Sequence, residues 1–154
     1  MDVQLQIPDD LIHWEPHDGN PVFGPETGDN WDAIRARPRS LNKIAETWYL
    51  WYEGCNQWRP PTLKADGTKP PEWADTVGLA RSRDLVHWEY YPYNPALPGT
   101  GISKTRFDCS WVGWPRMVIR NGVGYVYYTS GSGIGLRTIA INDLVSWRPV
   151  APGK

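Results

Sequence analysis

Val77-Gly78-Leu79-Ala80-Arg81-Ser82-Arg83-Asp84-Leu85-Val86-His87-Trp88-Glu89 reads as one strand, a polar turn opened by Asp84, and an aliphatic pair followed by Trp. Alternating apolar positions in its first half are what a strand with one buried face requires. The pattern recurs without a gap at Val3-Gln4-Leu5 through Asp10-Leu11-Ile12-His13-Trp14-Glu15, at an offset of 74 residues, and both copies run on to Asn-Pro, at Asn20-Pro21 and Asn94-Pro95. A third copy, Ile134-Gly135-Leu136 through Asp143-Leu144-Val145-Ser146-Trp147, carries two extra residues between strand and turn. Each copy predicts an outer hairpin.

A second motif lies between the copies. Pro38-Arg39 leads to Trp48-Tyr49-Leu50-Trp51-Tyr52-Glu53-Gly54, and Pro115-Arg116-Met117-Val118-Ile119 leads to Tyr125-Val126-Tyr127-Tyr128-Thr129-Ser130-Gly131. Asn121-Gly122 separates two strand-like runs in the latter, the strongest short hairpin signal. One such inner hairpin plus one outer hairpin makes a four-stranded antiparallel sheet, so the fold class is all-β, built of β-propeller blades. Each unit takes about 60–75 residues against the roughly 40–50 of a minimal blade, and the excess falls in loops at 56–75 and 98–106. The units are an outer half-blade at 1–25, a blade at 26–97 and a blade at 98–154. A weak helix-like stretch spans Trp31 to Arg37, where Pro38 would stop it. Three outer hairpins stand against two inner ones, so these blades do not close a ring. Missing blades from a longer chain, or self-association, would complete it. Two copies would still leave two outer hairpins unpartnered, which favours the longer chain.

Composition narrows function. The 154 residues carry 16 basic and 17 acidic side chains, evenly mixed, for a net charge of −1, so no field draws nucleic acid or anionic lipid. No apolar run approaches the roughly 20 residues that span a bilayer, and no signal peptide is visible at Met1-Asp2-Val3-Gln4-Leu5-Gln6; a soluble chain, cytoplasmic by default, is expected. Cys55 and Cys109 read as free thiols. Ten Trp and eight Tyr beside 15 Gly and 15 Pro suit short strands and stacking surfaces.

The run Val77 through Glu89 resembles the outer-strand signature of five-bladed β-propeller glycoside hydrolases, the superfamily that includes families 43, 32, 68, 117 and 130. Phe107-Asp108 through Trp114-Pro115-Arg116, followed by Gly124-Tyr125-Val126-Tyr127-Tyr128-Thr129, looks like the inner half of such a blade. The resemblance implies acidic residues at the starts of inner strands, facing a central funnel, with two acting on the glycosidic bond. Trp31-Asp32 and Phe107-Asp108, each an aromatic residue then Asp, stand six and seven residues before Pro38 and Pro115, which makes Asp32 and Asp108 the candidate funnel carboxylates. An Asp after an aromatic residue also starts strands and caps turns without any catalytic duty. The chain departs from the family 32 pattern, with Arg37-Pro38-Arg39 where Arg-Asp-Pro would stand and Asp108-Cys109 where Glu-Cys would stand.

Hydrolysis of an acetal needs one protonated acid and one ionised carboxylate. Glu53, among aromatic residues, is a third candidate, either as an acid or as a strand-end partner of an Arg. Arg39 and Arg116 follow Pro in both inner hairpins and suit a blade-structural role or substrate contact. Trp31, Trp58, Trp111 and Trp114 could be sugar platforms. Trp14, Trp88 and Trp147 recur at one repeat position and read as packing core, while His13 and His87 face outward or cap the turn. No cofactor is expected; some related propellers hold a central calcium, but no dense carboxylate loop here asks for one. The expected function is a glycoside hydrolase-like propeller, or part of one, acting on or binding an oligosaccharide. A non-catalytic carbohydrate-binding module and a protein-interaction blade array are the alternatives.

Overall fold

The computed structural model describes residues 15–27, 30–55, 75–97, 111–131 and 133–147. They form two antiparallel sheets and almost no helix. The first has the order β1 (Arg35–Ile44), β2 (Thr47–Cys55), β3 (Thr76–Ser82), β4 (Glu89–Tyr90); the second has the order β5 (Gly113–Arg120), β6 (Val123–Ser130), β7 (Gly133–Ala140). The inner hairpins are thus β1–β2 and β5–β6. Asn121 and Gly122 both take positive φ, 51° and 74°, as a two-residue hairpin turn needs. Both Asn-Pro peptide bonds, Asn20-Pro21 and Asn94-Pro95, are cis.

Two expectations are corrected. The stretch from Trp31 to Arg37 is not helical: Trp31–Ile34 is a turn and Arg35 onward is strand. So short a segment gains little from helix formation, whereas β1 pairs with β2 along its length, from Arg35 opposite Cys55 to Ile44 opposite Thr47. The third outer copy does not repeat the turn of the second: its longer spacing holds one short helix, α1 (Ile141–Val145), with Leu144 buried. Among the described residues the second sheet has three strands, and the stretch that would match β4, at 148–149, lies outside them.

The sheets pack face to face. Tyr49, Trp51, Val77 and Leu79 from the first share one core with Met117, Val126, Tyr128 and Ile139 from the second. Each such aliphatic side chain contributes about 1.5–3 kcal/mol by leaving water. Hydrogen bonds stitch the seam: Asn42 Nδ2 donates to the Met117 carbonyl at 3.2 Å, Met117 N–H to Ser40 Oγ at 3.1 Å, and Val112 N–H to the Asp75 carbonyl at 2.8 Å. Trp147 closes one side of the core against Tyr49 and Tyr91, ring centroids 6.1 and 5.0 Å apart, with the Arg81 guanidinium 4.4 Å over its ring. The opposite face of the first sheet is covered by residues 15–27. Phe23 meets Tyr52 at 5.0 Å, Trp88 at 5.6 Å and Tyr90 at 5.5 Å. Trp14 and His13 lie outside the described residues.

The repeated Asp explains itself at Asp84. Its Oδ1 accepts from the backbone N–H groups of Val86 and His87 at 2.9 and 2.8 Å, and Oδ2 lies 2.7 Å from His87 Nδ1. Ser82 Oγ accepts from the N–H of Leu85 at 2.9 Å, and Trp88 Nε1 donates to the Leu85 carbonyl at 3.2 Å. Asp84 organises the turn, and His87 is an exposed turn residue. The N–H of His87, then its ring, then the Val86 N–H hold the Asp84 carboxyl well below the usual carboxylate range. A depressed folded value means stability that is present above the unfolded value and lost as pH falls toward the folded one. Asp84→Ala is expected to cost about 1 kcal/mol at neutral pH, the scale of a side chain satisfying turn amides, and to flatten the acid limb of the stability curve. Melting curves of both proteins between neutral and acid pH test this; an unchanged acid limb would contradict it.

Candidate functional site

Asp32 sits in the turn before β1, where the Ala33 N–H donates to the Asn30 carbonyl and the Arg35 N–H to the Asp32 carbonyl. Its side chain is fully buried. Oδ2 accepts from the Tyr52 hydroxyl at 3.0 Å, and Asn94 Nδ2 donates to that hydroxyl at 3.1 Å. Burial raises the Asp32 pKa above its ordinary value; the Tyr52 hydroxyl and the backbone N–H of Glu26 oppose that rise without cancelling it. Glu26 is raised too, by burial and then by the charge of Asp32. Trp31 spends its ring on packing. A Cβ added at Gly54 would come 2.5 Å from Trp31 Cζ3, and one added at Gly78 2.7 Å from Trp31 Cζ2.

Glu53 is also buried, near the end of β2, but in a different setting. Arg39 Nη2 donates to its two oxygens at 3.3 and 3.2 Å, Arg35 Nη2 lies 3.5 Å away, and the Trp114 N–H donates to Oε2 at 3.3 Å. Arg35 also pairs with Asp75. Gly113 leaves the room this carboxylate needs, since a Cβ there would sit 2.9 Å from Oε2. Pairing register shifts between Pro38 and Ser40 in β1 and between Gly113 and Arg116 in β5, so each Pro-Arg dipeptide falls at a bulge. The bulges re-aim the side chains beside them. Trp114, at φ +48°, is 52% exposed, with the Arg39 guanidinium 5.8 Å from its ring and the Trp111 ring 6.3 Å from it. Arg116 Nη1 donates to the carbonyls of Arg39 and Pro115.

The strand ends therefore collect Asp32, Glu53, Arg39, Trp111, Trp114 and Arg116 at one end of the paired sheets. They do not bring Asp32 and Glu53 onto one face. Asp32 lies over Tyr52 and Gly54, whereas Glu53 points to the side of Trp51 and the second sheet, with β2 between them. Asp108 and Trp58 lie outside the described residues. Glu26, Arg35 and Asp75 were not among the candidates. The alternation Arg35-Ala36-Arg37-Pro38-Arg39 is the signal that could have placed Arg35 beside Glu53, and a helical reading of that stretch hides it. Among the described residues no three His, Cys, Asp or Glu gather to hold a metal ion, Cys55 is buried and free, and no helix is long and apolar enough to cross a membrane.

No family model matches the chain, and no curated protein does. Among solved structures it is similar to a glycoside hydrolase, at a TM-score of 0.54 and 20% identity over 83% of this chain. The fold is glycoside hydrolase-like. The likeness concerns architecture alone, antiparallel, blade-like sheets, and the chain spans 32% of that structure's length.

Proposed function

We propose that the chain is a glycoside hydrolase-like β-propeller, or a piece of a five-bladed one, that acts on an oligosaccharide with funnel carboxylates as acid and base. The observation supporting this is Asp32, a buried carboxyl at the start of an inner hairpin that burial pushes toward keeping its proton. Such a group suits the general acid at a glycosidic oxygen. Asp108, at the matching place before the second inner hairpin, is its proposed partner. Glu53, gripped by Arg35 and Arg39, suits an orienting role.

Asp32→Asn and Asp108→Asn are each expected to lower turnover of aryl glycosides by about 10²–10⁴-fold while far-UV circular dichroism stays unchanged. With Asp32 as acid, the rate should also fall as pH rises through its raised value. Turnover that survives both changes removes the hydrolase reading. A second reading, carbohydrate binding without hydrolysis, is favoured by the exposed Trp114 ring beside Trp111 and Arg39. Titration would then show binding with no cleavage, and Trp114→Ala would weaken it about tenfold.

A further inference from the structure

Asp32 is held by a chain of hydrogen bonds whose direction is set at its far end. Asn94 Oδ1 accepts from the Leu79 N–H at 2.9 Å, and Asn94 Nδ2 donates to the Leu79 carbonyl at 3.0 Å. The backbone of β3 thereby fixes which way the amide faces, because a flipped amide would set donor against donor and acceptor against acceptor. The second hydrogen of Nδ2 goes to the Tyr52 hydroxyl, 3.1 Å away. With its oxygen accepting there, the hydroxyl turns its own hydrogen to Asp32 Oδ2 at 3.0 Å. Tyr52 and Asp32 are both fully buried, and packing pins the carboxyl: a Cβ added at Gly54 would come 2.7 Å from Asp32 Cβ.

The two oxygens of Asp32 are therefore not equivalent. Oδ2 receives the tyrosine hydrogen, whereas Oδ1 is buried and has no hydrogen-bond partner. Tyr52 does not take over as the acid, since burial and then the charge of Asp32 push its pKa far above the ordinary value. Among the described residues, the other titratable groups that bear on Asp32 are Glu26 from the covering segment and Tyr90 from β4, whose hydroxyl donates to the Gly24 carbonyl at 2.6 Å. We propose that Asn94 is a positioning residue: through Tyr52 it keeps Oδ2 an acceptor and leaves Oδ1 as the oxygen that holds and releases the proton of Asp32. The inference rests on Asp32 acting as the general acid. In that step the Oδ1–H bond breaks, the proton bonds to the glycosidic oxygen, and that oxygen leaves with the electron pair of the C–O bond. The charge left on Asp32 is met at Oδ2 by the Tyr52 O–H.

The test is the titration of Asp32 by carboxyl carbon-13 NMR on the 154-residue chain, with Asp32→Asn to assign the signal, beside the pH dependence of aryl glycoside turnover. In the unaltered chain the Asn94 side-chain amide signals should move at the Asp32 midpoint, because the hydrogen bonds connect them. Tyr52→Phe keeps the ring and removes the donor to Oδ2, which favours the charged form. The Asp32 midpoint and the alkaline limb of turnover should then both rise by about one pH unit, and the Asn94 signals should cease to follow Asp32. Asn94→Ala should raise the midpoint too, yet add nothing in the Tyr52→Phe background, although its bonds to Leu79 are lost in both. An unchanged midpoint in Tyr52→Phe, Asn94 signals that ignore Asp32, or an Asn94→Ala effect that persists without the tyrosine hydroxyl would overturn the proposal. An Asp32 that titrates as expected in a chain that cleaves no glycoside would instead remove the hydrolase reading and leave the direction of the hydrogen bonds standing.

Discussion

Gly78→Ala is expected to lower the melting temperature by roughly 6–12 °C, from about 3 kcal/mol of overpacking at 2–4 °C per kcal/mol for a chain of this size. Gly78 stands opposite Tyr52 across the β2–β3 pairing, and the Tyr52 ring crowds it; a Cβ would come 2.5 Å from Tyr52 Cζ and 2.7 Å from Trp31 Cζ2. Neither ring can withdraw cheaply. Tyr52 is fully buried, and its hydroxyl is tied to Asp32 and Asn94. The same arrangement recurs in the second sheet, where Gly135 is opposite Tyr128 and a Cβ would collide with that ring. Gly135→Ala should therefore cost about as much, again roughly 3 kcal/mol. Gly24→Ala is the control, because nothing lies within 4 Å of its added Cβ. In a double-mutant cycle, Tyr52→Leu should make Gly78→Ala less costly than in the parent, since the smaller side chain vacates the contact. Additive losses, or a Gly78→Ala protein that melts like the parent, would show that the ring does not impose the glycine.

This pair explains how far the sequence could be read. The recurrence of Gly78 and Gly135 is visible in the repeat, and so are the strands around them, because period-two alternation and the Asn121-Gly122 turn are local signals. The reason for the glycines is not local, since it needs the register that sets each beneath a tyrosine ring. Asp32 shows the same division. Its place before an inner hairpin is readable, whereas its burial follows from Tyr52, Asn94 and the segment carrying Phe23, contributed from three separate stretches. The misread stretch at 31–37 has ordinary helix formers on either side of no strong strand signal, and only pairing with β2 decides it. From the sequence, Glu53 fits an acid or an Arg partner equally. The bulge at Arg39 sets that guanidinium on the Glu53 carboxylate, and bulges leave no mark in composition.

Glu53→Ala is expected to cost about 2–4 kcal/mol of folding stability, well above the scale of an ordinary surface change. Removing one partner of a buried ion pair usually costs about 3–5 kcal/mol because the remaining charge is left without compensation. The figure is discounted here because the Arg35 and Arg39 side chains keep 16% and 21% of their exposure and Arg35 retains Asp75. Glu53→Gln keeps the shape and one acceptor for the Trp114 N–H, so its loss should be smaller, about 1–2 kcal/mol. Urea unfolding of both variants supplies the comparison, with an unchanged slope required for either value to be read as stability. The decisive variant removes both charges. Glu53→Leu alone strands Arg39, whereas Glu53→Leu combined with Arg39→Met replaces the pair with apolar groups of similar size and should recover part of the loss. Recovery would mean that the carboxylate's main work is to neutralise the guanidinium groups at the seam between the sheets. No recovery, together with loss of oligosaccharide binding in the double variant, would instead place Glu53 in direct service of the ligand.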